Sequence, residues 1–145
     1  MKIGIGNDTA GTTLKYIILE HLKSKGFEVI DFGAANGETV EYPAAAKTVS
    51  EAVLKGEVDK GILLCATGIG ISMAANKIKG IRAALCADSY SAKMAAEHTD
   101  AHIIAIGAKI VGEEVAVDIV DSFLNSKFSG GVFKTRIDLM SELEK

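Results

Sequence analysis

The chain has 145 residues, which is enough for one domain with a complete hydrophobic core. Its 48% hydrophobic and 24% charged residues are typical of a globular protein and argue against disorder. The net charge is −3 and basic residues form no long run, so nucleic acid is not an expected partner. No charged leader precedes an apolar region, and no apolar run approaches the roughly 20 residues of a membrane span. These features predict a cytoplasmic protein that makes no contact with a membrane.

Short apolar runs alternate along the chain with longer segments of helical periodicity. Residues 2–6 are predicted as a strand, and the helix that follows is expected to end at Gly26. Residues 27–32 are predicted as the second strand, after which Pro43 opens an alanine-rich helix. The run from 60 to 65 is nearly all apolar, as expected for a strand that is covered on both faces.

The second half of the chain continues the same alternation. It predicts a fourth strand at 81–86, a fifth at 101–107, and helices at 71–80, 89–98, about 113–126 and 133–144. Five strands interleaved with helices indicate a single α/β domain over residues 1–145, with a doubly wound, Rossmann-like, three-layer αβα arrangement around a five-stranded parallel sheet. Ligands of such sheets bind outside the carboxyl ends of the strands, so the loops at those ends are the candidate sites.

The segment CATGIGIS, residues 65–72, is the strongest of these candidates because it joins the third strand to a helix. Thr67, Gly68 and Gly70 allow backbone N–H groups to converge at a helix N-terminus, an arrangement typical of an oxyanion or phosphate site. Cys65 has two interpretations: it is either a small buried residue or a reactive thiol, since a helix N-terminus stabilises a thiolate.

The other titratable side chains near the strand ends leave alternatives open. Asp8 either caps the following helix or binds a substrate hydroxyl, and His98 taken alone is a solvated or capping residue. His21 is expected on an exposed helix face, while His102 and Cys86 are expected to be structural. No cysteine or histidine spacing fits a zinc site, and a reduced thiol pair fits the spacing better than a disulfide. The residues alone therefore predict a small-anion or sugar-phosphate site on a doubly wound sheet.

Several segments carry a more specific signal. They are KIGIGNDTAG, GFEVIDFG, EYP, KGILLCATGIGISMAANKIKGIRAAL, AEHTDAHIIAIGAKIVG and GGVFKTRID. Together they resemble, essentially from end to end, the ribose-5-phosphate isomerase B family, which includes the galactose-6-phosphate isomerase subunits. The block from Gly61 to Leu85 is the most specific part of this resemblance. It implies an aldose–ketose isomerase that acts on a small phosphorylated sugar through a cis-enediolate, with neither a metal nor another cofactor.

The resemblance also implies roles for individual residues. Cys65 would be the general base that moves a proton between C1 and C2, Thr67 would assist proton movement between O1 and O2, and His98 would open the sugar ring. The amides of residues 66–70 would stabilise the enediolate. The residues implied to bind the substrate are Asp8, Thr9, Ala66, Gly68, Ile69, Gly70, Thr99, Lys109 and Arg136.

Some positions depart from the usual pattern of the family. Val132 and Phe133 stand where an arginine and a histidine are usual, Thr9 where a histidine is usual, Thr99 where an asparagine is usual, and Lys109 where many members have arginine. The loss of a bidentate guanidinium weakens the recognition of phosphate, because lysine supplies only a point charge.

These departures keep more than one function open. Ribose 5-phosphate is the default substrate, and Lys134 compensates for the lost arginine only if it points inward. The alternatives are another sugar phosphate, such as galactose 6-phosphate or a tetrose phosphate, and an inactive sugar-phosphate-binding homologue. A flavodoxin-like nucleotide or flavin binder is a further reading that the sheet pattern alone permits.

The last segment of the chain bears on assembly. Residues 130–145 predict a helix with an apolar face after the flexible sequence SGG. This helix either packs on its own domain or reaches a partner subunit. Because the family completes its active site across a two-fold dimer, we expect a homodimer, or a tetramer built from it, with active sites shared between subunits. The galactose-6-phosphate enzyme has two subunit types, so the need for a second type also stays open.

Overall fold

The sheet is described in a computed structural model that covers residues 1–145. It contains β1 (Lys2–Asn7), β2 (Glu28–Asp31), β3 (Lys60–Cys65), β4 (Ala83–Leu85) and β5 (Ile103–Gly107). All pairs of neighbouring strands are parallel, and the strand order is β2-β1-β3-β5-β4. The predicted five-stranded parallel sheet is therefore confirmed.

Helices cover both faces of this sheet. They are α1 (Thr12–Ser24), α2 (Tyr42–Leu54), α3 (Ile69–Asn76), α4 (Ser89–Thr99), α5 (Glu113–Leu124) and α6 (Val132–Glu142), with a short 3₁₀ helix at Thr9–Gly11. Buried residues of α1, α4 and α5 share one core cluster with the strands, and those of α2 and α3 share a second cluster on the opposite face. The predicted three-layer αβα architecture is confirmed.

Local sequence signals account for the helix ends that were predicted. Gly26 takes a φ of 85° after α1, and its N–H donates to Lys23 O at 3.0 Å. The N–H of Phe27 donates to Leu22 O at 3.1 Å, which completes a Schellman motif. Pro43 lies in the first turn of α2, where its missing N–H is not needed.

Two strand glycines set the distance between α2 and the sheet. A Cβ added to Gly6 would lie 2.7 Å from a Val49 methyl, and one added to Gly61 would lie 2.6 Å from the other Val49 methyl. Because these positions have no side chain, the Val49 side chain lies directly on the β1–β3 pair. The close packing fixes the second layer against the strands that lead into the candidate site.

Strand β4 is shorter than the predicted 81–86. The Arg82 N–H donates to the His102 Nδ1 at 3.0 Å instead of continuing the strand ladder. On the outer side of β4, the Asn76 side chain accepts from Ala83 N–H and donates to Ala83 O, both at 2.8 Å. The amide of Asn76 thus takes the place of a neighbouring strand and protects this edge of the sheet.

The strand order creates a crevice between β1 and β3. The chain leaves β1 toward β2 on one side and leaves β3 toward β5 and β4 on the other, so this is a topological switch point where ligands of α/β sheets bind. Asp8 follows β1 and Cys65 ends β3, and the Asp8 N–H donates to Leu64 O at 3.1 Å. Two of the predicted site residues therefore lie at this point.

The C-terminal helix packs on its own chain in this structure. Ile137 of α6 is buried, and Glu144 accepts from Gly80 N–H with both carboxylate oxygens at 3.1 Å. Leu139 and Leu143 stay largely exposed. That α6 reaches a partner subunit remains a prediction. None of the helices has the length and apolar character needed to span a membrane.

Candidate active site

The chain turns sharply after β3 in residues 65–70, which we call the thiol loop. Cys65 is only 5% exposed, and its Sγ accepts a hydrogen bond of 3.1 Å from the Gly68 N–H. This bond depends on Gly68, which takes the left-handed φ of 78° just before α3 begins. The sulfur therefore lies within hydrogen-bond distance of the turn from which α3 begins.

Backbone donors in the thiol loop are free to bind an anion. The N–H groups of Ala66 and Thr67 donate no hydrogen bond within the chain. Free donors beside a glycine-rich turn at a helix N-terminus suit an oxyanion, as the sequence pattern predicts. The candidate site thus places a thiol and unoccupied backbone donors in one short loop.

The end of β5 forms the floor of the thiol loop. A Cβ added to Gly107 would lie 2.5 Å from Thr67 O, so only glycine fits there. The next two residues bind the loop from below, because Ala108 N–H donates to Cys65 O at 2.8 Å and Lys109 N–H donates to Ala66 O at 2.9 Å. The backbone of Lys109 is consequently fixed beside the thiol loop while its side chain is exposed.

Tyr42 is a site residue that sequence reasoning did not single out. Its ring lies against the first turn of α3, since a Cβ added to Gly70 would lie 2.8 Å from the Tyr42 Cζ. Tyr42 is 40% exposed and sits in the first turn of α2 beside Pro43. The EYP motif was the available signal, because it places an aromatic side chain at a helix start. Thr67 of the same loop is exposed, and its Oγ1 accepts from Ile69 N–H at 3.2 Å.

The end of β1 supplies Asp8 and the buried Asn7. Asp8 is half-buried, and its Oδ1 accepts from Gly11 N–H at 3.1 Å, so the predicted capping role is confirmed. Asn7 is fully buried and donates to Asp8 O at 2.8 Å and to Thr12 Oγ1 at 3.1 Å. These bonds fix the backbone of Asp8 and leave its second carboxylate oxygen available.

Thr9 holds the loop between β2 and α2. Its Oγ1 accepts from Val40 N–H at 3.0 Å and donates to Glu38 O at 3.3 Å. The hydroxyl is therefore occupied within the chain. At this position, where a histidine is usual in the family that the sequence resembles, the chain has a threonine that binds the loop between β2 and α2.

A second group of predicted residues lies around the start of α6, and we call His98, Phe133 and Arg136 the tail cluster. The His98 and Phe133 rings are stacked, with centroids 4.1 Å apart and planes at 9°. The Arg136 guanidinium carbon lies 5.6 Å from the centroid of the Phe133 ring. Thr99 lies next to this cluster, and its Oγ1 donates to Ala95 O at 2.6 Å.

The tail cluster and the thiol loop lie at opposite ends of the strands, the tail cluster toward the amino ends and the thiol loop at the carboxyl ends. Residues 101 and 102 meet the start of β3, where Lys60 Nζ donates to Ala101 O at 2.8 Å and Gly61 N–H donates to His102 O at 2.9 Å. Cys65 is at the other end of that strand, about 16 Å away along β3. One chain therefore does not bring His98, Thr99 or Arg136 to Cys65.

The cations near the site differ in their pairing. Lys109 and Arg136 are exposed and form no ion pair, whereas Lys134 pairs with Asp138 one turn along α6. Val132 is 55% exposed and Phe133 packs on His98, so neither supplies a charge. Of these cations, one beside the thiol loop and one in the tail cluster are thus unpaired within the chain.

The remaining titratable groups behave as structural residues. Cys86 is buried in the core, and burial raises the pKa of its thiol to about 12, with a smaller contribution from Asp88. Burial, and then the cations Arg82 and Lys60, lower the pKa of His102 to about 4. No group of three or more His, Cys, Asp or Glu side chains is arranged to hold a metal ion.

Comparisons with known proteins agree with this geometry. A family model described as Ribose/Galactose Isomerase matches residues 3–140. The chain is 46% identical to a ribose-5-P isomerase B of Listeria innocua over 145 residues, which are 100% of this chain and 98% of the relative. It is 40% identical to a D-erythrulose-4-phosphate isomerase of Pectobacterium atrosepticum, over 99% of this chain and 95% of the relative.

The fold is also similar to a solved structure of Clostridium thermocellum ribose-5-phosphate isomerase B. The TM-score is 0.97 at 52% sequence identity, and the match covers 99% of this chain and 97% of that chain. Because the match covers 99% of this chain, it includes the segments that carry the thiol loop and the tail cluster.

Proposed function

Because the chain belongs to the ribose/galactose isomerase family and is an aldose–ketose isomerase of the ribose-5-phosphate isomerase B type, we propose that it interconverts ribose 5-phosphate and ribulose 5-phosphate. The observation that carries the proposal is the Cys65 thiol, which accepts from Gly68 N–H at the switch point of the sheet. A thiolate held in this way beside free backbone donors suits the removal of a proton from a carbon next to a carbonyl.

The proposed reaction is a proton transfer between two carbons. The Cys65 thiolate takes the proton from C2 of the open-chain aldose, and the electron pair of that C–H bond forms the C1–C2 double bond of an enediolate. The negative charge collects on O1, where the free N–H groups of Ala66 and Thr67 stabilise it. The Thr67 hydroxyl moves a proton between O2 and O1, and the Cys65 thiol returns its proton to C1.

The site requires residues from two chains in this proposal. His98, which would open the sugar ring, comes just before the turn that meets the start of β3, whereas Cys65 is at the other end of that strand, about 16 Å along it. The cavities of a single chain include no residue of the thiol loop, although small-molecule sites are normally concave. In a two-fold homodimer, the site becomes concave if the tail cluster of one subunit faces the thiol loop of the other. A tetramer of two such dimers keeps the same sites.

Phosphate recognition is assigned to cations from both chains. Lys109 stands beside the thiol loop, and Arg136 is carried by α6, where it forms no ion pair. Asp8 binds a sugar hydroxyl through the carboxylate oxygen that Gly11 does not use. Thr9 and Thr99, first expected to bind the substrate, are given no contact with it in this proposal, because both hydroxyls are occupied within the chain.

The proposal is tested by measuring isomerisation of ribose 5-phosphate by the unmodified protein and by Cys65→Ala. Loss of a general base typically lowers the rate by about 10²–10⁴-fold, so we expect a loss in this range with an unchanged fold. Cys86→Ala is the matched control, since it removes a thiol from the core and not from the site. Near-full turnover by Cys65→Ala would contradict the mechanism, and an inactive unmodified protein would favour a binding function.

A four-carbon sugar phosphate is the second candidate substrate. It is favoured by the uncharged Val132 and Phe133 at the anion end of the site and by the similarity to the Pectobacterium atrosepticum isomerase. A panel of aldose phosphates with four to six carbons, including galactose 6-phosphate, distinguishes the candidates by kcat/KM. A ratio that favours the four-carbon sugar would replace ribose 5-phosphate as the substrate.

A further inference from the structure

The turn that carries His98 is held by a residue outside the proposed site. Arg82 precedes β4, and its Nε donates to Thr99 O while its Nη2 donates to Asp100 O, both at 2.8 Å. These carbonyls end α4 directly after His98. The Arg82 side chain is only 20% exposed, so its charge and donors are committed to this contact.

The turn needs such a contact because its backbone is unusual. Asp100 has a φ of 44° and is the only residue other than glycine with a positive φ in the chain. A left-handed conformation is unfavourable for a residue with a Cβ and persists where the surroundings fix it. The carbonyls at a helix C-terminus also lack helical partners and attract cations. Arg82 satisfies two such carbonyls with one planar group.

The backbone of Arg82 strengthens the same connection. Its N–H donates to His102 Nδ1 at 3.0 Å, and its carbonyl accepts from His102 N–H at 2.9 Å. Lys60 adds a donor to Ala101 O at 2.8 Å. The segment between α4 and β5 is therefore tied to the start of β4 at each of residues 99, 100 and 102.

We propose that Arg82 is a positioning residue for His98. It fixes the turn at the end of α4, and the fixed turn sets the direction from which His98 meets the sugar, while the stack on Phe133 sets the plane of the ring. The inference rests on the proposed function, in which His98 opens the ring of the substrate. It adds a residue that touches neither substrate nor reacting atoms.

The test uses two sugars that differ in their need for ring opening. Ribose 5-phosphate closes a ring through O4, whereas erythrose 4-phosphate carries its phosphate on O4 and stays open. Misplacement of a catalytic group by about 1 Å can cost on the order of 10²-fold, so Arg82→Met should lower kcat/KM for ribose 5-phosphate by at least about tenfold. For erythrose 4-phosphate the same variant should stay within about threefold. His98→Ala should show the same selectivity, and Arg82→Lys should recover part of the lost rate.

Lys60→Met is the matched control, because it removes from β3 a half-buried cation that contacts the same segment but leaves the carbonyls of Thr99 and Asp100 bound to Arg82. It should lower the melting temperature, and any change in kcat/KM should be equal for the two sugars. The His98 ring resonances report the stack on Phe133, and they should shift in Arg82→Met but not in Lys60→Met. If Arg82→Met does not fold, Arg82→Lys is measured in its place.

The outcomes separate this inference from the proposed function. An unmodified protein that isomerises neither sugar overturns the proposed function. If the unmodified protein isomerises ribose 5-phosphate, an equal loss on both sugars in Arg82→Met overturns the inference alone. If only ribose 5-phosphate is a substrate, a lost rate with shifted His98 resonances supports the inference, and an unchanged rate or unshifted resonances overturn it.

Discussion

The stability of the protein should depend on the protonation of His102. Its Nδ1 accepts the Arg82 N–H, so the folded state needs the neutral ring. The pKa is lowered from 6.5 to about 4, by burial first and then by Arg82 and Lys60. Between these two values the unfolded chain binds more protons than the folded chain, so the free energy of unfolding decreases as the pH falls. The stabilisation is complete above pH 6.5 and is lost toward pH 4.

The expected magnitude follows from the size of this shift. One pKa unit corresponds to about 1.4 kcal/mol, so a shift from 6.5 to about 4 sets an upper limit of about 3 kcal/mol. Because the ring is only half-buried, solvent screening reduces the effect, and we expect a loss of roughly 1 kcal/mol between pH 7.5 and pH 5.

Urea unfolding at these two pH values measures the effect. His102→Asn supplies a side-chain oxygen to the Arg82 N–H and does not titrate. Between pH 7.5 and pH 5, the decrease in its free energy of unfolding should therefore be smaller by about 1 kcal/mol than the decrease in the unmodified protein. His98→Asn is the control, since it leaves His102 in place and should keep the full dependence. Equal losses in His102→Asn and the unmodified protein would refute the reasoning.

Three further predictions concern the proposed site. Mixing Cys65→Ala with Arg136→Ala under subunit exchange should restore activity, because each mixed dimer has one site without substitutions; a mixture that stays inactive after proven exchange contradicts a shared site. Val132→Arg should lower KM for ribose 5-phosphate and change kcat less, since it adds uniform binding of the phosphate; an already low KM in the unmodified protein contradicts this. Activity should survive a chelator, and a reversible loss that a divalent ion restores would contradict a metal-free thiol mechanism.

The elements could be predicted from the sequence where the signals are local. Gly26 and Pro43 marked helix boundaries that the structure has, because capping depends on neighbouring residues only. The short β4 could not be predicted in this way. The N–H of Arg82, directly before β4, donates to the His102 ring, and that contact joins residues that lie far apart in the chain.

The candidate site, too, could be predicted only where its residues are close in sequence. The thiol loop is continuous in sequence, so the thiol, the glycines and the following helix could be recognised together. The distance between Cys65 and His98 depends on the direction of α4, which runs back to the amino edge of the sheet before β5 begins. Tyr42 and Arg82 were missed because their contacts arise only from tertiary packing.

The substitutions in the tail affect the two halves of the reaction differently. Phe133 lies against the face of His98 without adding charge, so in the proposed mechanism His98 remains the acid that opens the ring. In the same proposal, Val132 and Phe133 replace groups expected to bind phosphate equally in the ground state and in the transition state. We expect such a loss to raise KM and to leave kcat largely unchanged, because the thiol loop with Cys65 and its backbone donors is intact. Weaker binding of phosphate affects sugars of either length, so the comparison of four-carbon and five-carbon sugar phosphates is what decides the substrate.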